Sequence, residues 1–176
     1  MAFVVKNANR AKQVGKAKAY VSQWIQVSRP TLALPQTTNE QLFRIYGGRV
    51  LVRLLLGEVT TVIQNSDPVA KVAYAALTDA AALVGTEYDI ASTLDLTSDE
   101  VGTLYTVIGD GTAIQSGNQV AGSVEIDSPG WVAAQGQIVL ICGASKTGNI
   151  KWDIWYQPLD DGAYVVSVDT ATVKIS

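Results

Sequence analysis

The acids carry most of the chemical potential of this 176-residue chain, because it contains no histidine and only one cysteine. Without histidine there is no Ser-His or Cys-His nucleophile pair, no imidazole acid or base, and no histidine-ligated zinc. The single cysteine, Cys142, excludes an intrachain disulfide and a multi-cysteine metal site; within Val139-Leu140-Ile141-Cys142 it reads as a small buried hydrophobe. Carboxylate pairs are the catalytic route that remains, as in glycosidases. Asp89, Asp95, Asp99, Glu100 and Asp110 lie close in sequence, but in turn-like segments where acids are expected to be solvated. Gly109-Asp110-Gly111 lacks the alternating acids and terminal glutamate of an EF-hand loop, which leaves open only a calcium site assembled from several loops. No glycine-rich phosphate loop has the required spacing. The expectation is therefore a chain with no catalytic residue, no cofactor and no metal ligands.

Binding chemistry is better represented. Trp155 stands beside Lys151 and Asp153, Trp131 follows Pro129-Gly130, and Trp24 lies near the N-terminus. Such indoles stack on sugar rings or on a protein partner, or simply pack at the edge of a fold. Charge is distributed unevenly as well. Residues 1–39 hold Lys6, Arg10, Lys12, Lys16, Lys18 and Arg29 with no acid, whereas the rest holds seven bases against 16 acids within a net charge of −3. A basic arm on an acidic body suits an acidic protein surface or a phosphate backbone. Basic residues thin out after Arg53, so a protein surface is expected and nucleic acid is not. A solvated tail is the plainer alternative, and Val14, Ala17, Val21 and Ile25 offer an apolar helical stripe that Gly15 weakens.

The elements that must position these residues read as strand after strand. Gln41–Tyr46 leads through Gly47-Gly48 into residues 49–63, which predicts a hairpin with a turn of positive φ. The segment 50–56 is apolar on both faces apart from Arg53, which predicts a central strand with Arg53 buried or interfacial. Further strands are expected at 69–77, 88–96, 101–108, 119–126 and 131–134, separated by turn-forming stretches such as 65–68, 97–100 and 109–112. Residues 78–85 are alanine-rich and read as a short helix or a loop. Residues 137–145 and 150–156, joined by Lys146-Thr147-Gly148-Asn149, predict another hairpin. In its second strand Ile150, Trp152, Ile154 and Tyr156 share one face, and Lys151, Asp153 and Trp155 the other. Pro158–Gly162 breaks that strand and residues 163–168 supply a last one.

Short strands with Gly, Pro, Asn and Asp punctuation define an all-β fold, an antiparallel β-sandwich or jelly-roll-like domain over residues 39–176, preceded by a basic N-terminal arm over 1–38. Hydrophobic residues make up 48% of the chain and charged residues 16%, a balance that fits either two-sided buried strands or apolar surface hidden between subunits. Three strong hydrophobes before Lys6 are too few for a secretory signal, and no run reaches transmembrane length, so a soluble product of a cytoplasm without membrane contact is expected.

Leu56-Gly57-Glu58-Val59-Thr60, Gly102-Thr103-Leu104-Tyr105 and the Lys151-Trp152, Trp155-Tyr156 and Pro158-Leu159-Asp160-Asp161-Gly162-Ala163 segments give residues 38–168 a further property: this stretch resembles head decoration, or cement, proteins of tailed bacteriophages. The resemblance implies a β-rich structural protein, usually a homotrimer, that sits on the assembled capsid in the virion and reinforces it. Its partners would be the major capsid protein and itself, and it would be made in the host bacterial cytoplasm and end on the capsid surface. On that reading Lys6, Arg10, Lys12, Lys16, Lys18, Trp24 and Arg29 are the expected capsid-binding residues. Arg53, Lys151, Asp153 and Trp155 are the expected subunit or partner interface. The alternative is a carbohydrate- or receptor-binding β-sandwich module of a phage particle.

Overall fold

A computed structural model of the protein describes residues 24–35, 39–64, 69–76, 87–107, 115–116, 130–143 and 147–169. The described residues form an antiparallel β-sandwich. One sheet runs in the order β1 (Ile25–Ser28), β11 (Thr147–Pro158), β4 (Val50–Gln64), β7 (Leu104–Val107), β8 (Gln115–Ser116), with β2 (Leu32–Ala33) beside β11 and β9 (Trp131–Ala133) beside β4. The other runs β12 (Tyr164–Ser167), β3 (Asn39–Tyr46), β10 (Gly136–Cys142), β5 (Val69–Ala76), β6 (Glu87–Asp95). No helix among the described residues is long and apolar enough to cross a membrane. The expected strand at 119–126 and the alanine-rich stretch at 78–85 lie outside the described residues.

Alternation along the strands builds the core. Ile150, Trp152, Ile154 and Tyr156 of β11 are buried on its inner face, as their spacing predicts, and pack with Leu42, Phe43, Ile45, Val59 and Leu140. Burying such side chains contributes roughly 1.5–3 kcal/mol each and is the main source of stability. Cys142 is buried in the same cluster.

Neither predicted hairpin pairs with itself. β3 and β4 belong to opposite sheets, and so do β10 and β11. Gly47 and Gly48 do adopt positive φ, 74° and 144°, but the turn carries the chain across the sandwich rather than back along one sheet. The reason is occupancy. β10 is already flanked by β3 and β5, and β11 by β1 and β4, so neither keeps an edge for its sequence neighbour. The turn at 47–49 meets the one at 159–163: Arg49 donates to Asp160 through Nε (2.9 Å), Nη2 (2.7 Å) and its backbone N–H (2.7 Å).

The arm and body are also joined more closely than composition implies. β1 and β2, from the segment read as the arm, pair with β11. Just beyond β1, Arg29 is 1% exposed; it pairs with Glu40 of β3, and its Nε donates to the carbonyl of Val168 after β12 (2.9 Å). Its own N–H donates to the Trp152 carbonyl in the first sheet (2.8 Å), so this arginine ties the two sheets together along one edge.

Candidate functional site

The outer face of the first sheet holds the candidate site. Strand β4 is central, as its two-sided apolar pattern predicts, but Arg53 is exposed rather than buried. Trp155 faces Leu54 across the ladder while the next residue, Tyr156, faces Val52, leaving Arg53 as an extra residue in a β-bulge. A one-residue insertion reverses the alternation beyond it, so Val52 and Leu55 both point into the core while Arg53 and Leu54 stand together on the outer face.

Trp24, Arg53, Leu54 and Trp155 line an open cleft of about 340 Å³. Trp155 sits in the middle of the ladder, between Gln26 of β1 and Leu54 of β4, and hydrogen bonds on both sides hold its strand in place. Trp24 is 41% exposed and opens one wall where the basic N-terminal segment joins β1. Two further expected interface residues lie along the same face: Lys151 Nζ is 3.2 Å from Asp153 Oδ2, and Gln26 Nε2 is 3.4 Å from Asp153 Oδ1. Asp153 is nonetheless buried, because β1 covers it.

The structure thus brings together Trp24, Arg53 and Trp155, which are spread over more than 130 positions of sequence. It separates Arg29 from them. Expected among the exposed basic residues, Arg29 is consumed internally by Glu40 and Val168. Lys6, Arg10, Lys12, Lys16 and Lys18 lie outside the described residues. Leu54 was not anticipated as a cleft residue, since strict alternation puts it on the inner face and only the bulge overrides that. Trp131, grouped with the accessible indoles on sequence, packs instead against the core from β9.

The carboxylates divide differently from expectation. Asp99 is buried, not solvated, and accepts a hydrogen bond from the Tyr105 hydroxyl. Burial pushes the Asp99 carboxyl above its usual range, with Asp95 adding to the rise and the tyrosine bond opposing it. Tyr105 is likewise raised, first by burial and then by its bond to Asp99. Asp95 is occupied by the backbone N–H and the hydroxyl of Thr97, at 2.8 and 2.6 Å. Backbone bonds from Val59 to Thr103 and from Ile63 to Asp99 show what this arrangement does: it moors the 96–103 loop along β4. Among the described residues no three His, Cys, Asp or Glu side chains are grouped to hold a metal. Asp110 lies outside the described residues.

No protein-family model matches the chain, and no curated protein matches it.

Proposed function

We propose that this chain is a non-catalytic virion protein that binds the assembled shell of a bacteriophage and stabilises it, as a decoration protein. What carries the reading is the convergence of the three segments that resemble such proteins. They are separated by tens of residues in sequence, yet Trp152 of β11, Gly57 of β4 and Tyr105 of β7 are ladder neighbours in one row of the first sheet. The likeness therefore covers one packed unit of the sandwich.

Mechanistically, a protein that binds only the assembled shell stabilises it by mass action, in proportion to occupancy and affinity. The basic segment containing Lys6, Arg10, Lys12, Lys16 and Lys18 supplies attraction to an acidic shell surface and steers the encounter. A homotrimer would multiply weak contacts through effective concentration at a site of local threefold symmetry.

The test uses shells assembled without this protein. The full chain should co-sediment with them and raise their melting temperature as occupancy rises. A full-length variant with those five bases replaced by glutamine should bind more weakly at physiological salt. Failure of the unmodified chain to co-sediment would remove the proposal.

A further inference from the structure

The cleft on the outer face of the first sheet has a chemistry that shell binding does not require. Two indoles, Trp24 and Trp155, and the Leu54 side chain make it apolar, and one guanidinium, Arg53, makes it cationic. We propose that it binds a carboxylate-bearing sugar ring, such as a uronic acid unit of an acidic polysaccharide.

A pyranose has an apolar C–H face that stacks on an indole and an edge of hydroxyls that needs hydrogen-bond partners. A uronic acid adds a carboxylate at a fixed distance from that face, and a guanidinium fork matches a carboxylate in shape and charge. The cleft presents both elements side by side. Its volume of about 340 Å³ falls at the small end of ligand pockets, which suits one or two rings rather than a folded partner. A guanidinium carries five N–H donors, so a contact within the fold and one to a ligand are compatible at Arg53.

Preorganisation strengthens the case. The backbone of Trp155 is paired on both sides, so the position from which its indole projects is set before binding. The register shift at Trp155/Tyr156 leaves Arg53 unpaired in the ladder and puts Leu54 on the outer face beside it, so the cationic and apolar walls of the cleft are sequence neighbours. Gln26, exposed and directly across the ladder from Trp155, turns its Nε2 to Ser28 and Asp153 and puts its carboxamide oxygen at the margin as an acceptor for ring hydroxyls. A peptide carrying an acid beside an apolar side chain is the competing occupant. It would leave most of its backbone outside so small a cleft, which favours the sugar.

The test is titration of the isolated full-length protein, followed by tryptophan fluorescence and calorimetry. The probes are tetragalacturonate, a hyaluronan tetrasaccharide, and the carboxyl-reduced, neutral form of each. At least one acidic probe should bind saturably, and its neutral form should bind about tenfold more weakly or worse. Arg53→Gln should remove that preference, bringing the affinity for the acidic probe down to that for its neutral form. Trp155→Ala should abolish both, with an unchanged circular dichroism spectrum as the folding control, and Trp131→Phe should change neither. The proposal is overturned if no acidic probe binds at millimolar concentration, or if acidic and neutral probes bind alike. It is equally overturned if Trp155→Ala abolishes co-sedimentation with shells while no sugar binds, which would make the cleft a protein contact. Sugar binding is read without shells, so its failure and the failure of the decoration reading are separate results.

Discussion

Gly57 and Trp152 face each other directly across β4 and β11, and the glycine is what makes room for the indole. A Cβ at position 57 would lie 2.9 Å from both Cη2 and Cζ3 of Trp152, closer than van der Waals contact allows. Trp152 is 1% exposed and is the largest fully buried side chain, so the ring has nowhere to move. Gly57→Ala should therefore destabilise the protein by about 1–3 kcal/mol, the usual cost of overpacking. Urea denaturation measures it, and the cost should shrink in a Trp152→Phe background, where the smaller ring leaves space for the methyl.

Removing the Tyr105 hydroxyl leaves Asp99 a buried acceptor without that donor. Tyr105→Phe should cost about 1–3 kcal/mol. The sign of the pH dependence follows from the raised Asp99 value. A carboxyl whose folded value lies above its unfolded one contributes stability that is fully present below the unfolded value and lost as pH rises through the folded value. Stability curves from pH 3 to 7 should show this contribution in the unmodified protein, and Asp99→Asn should flatten it.

Asp160 behaves in the opposite sense. The Arg49 guanidinium and backbone N–H hold its carboxyl down to about 2. That contribution is present above the ordinary carboxylate value and disappears as pH falls through about 2. Asp160→Asn should lower the melting temperature at pH 6, and its gap from the unmodified protein should close towards pH 2.

The Arg29–Glu40 pair is buried, so breaking it and deleting it differ. Arg29→Met or Glu40→Gln alone should cost about 3–5 kcal/mol, because each leaves its partner's charge uncompensated. The Arg29→Met, Glu40→Met double variant should recover much of that loss, although the Arg29 bond to Val168 is also gone. Denaturation of the two single variants and the double variant checks the relationship.

Much of the fold was legible in the residues. The β11 stripe of Ile150, Trp152, Ile154 and Tyr156 falls on the inner face as spaced, and strands at 69–76, 87–95 and 164–167 lie within a residue or two of where turn-forming segments bound them. The candidate site was legible only in part. Trp24, Arg53 and Trp155 stood out singly, yet nothing in their spacing joined them, and the apolar pattern on both faces of residues 50–56 left Arg53 buried or interfacial where the structure exposes it. Arg29 looked like its basic neighbours because a buried arginine and a solvated one are the same letter. Glu40, the acid that consumes it, is eleven positions away in another sheet.

By itself the sequence determined the all-β class, the central position of β4, the absence of histidine chemistry and the places where the chain turns. Each is set by side-chain type or by a period of two residues, which are local properties. Tertiary structure alone decided the plane of each turn, the bulge that sets Leu54 beside Arg53 on the outer face, the burial of Arg29 and Asp99, and the meeting of Trp24 with Trp155. Those outcomes depend on which strand edge is already occupied and on which distant group fills a given volume, and long-range pairing settles both only once the sheets have packed.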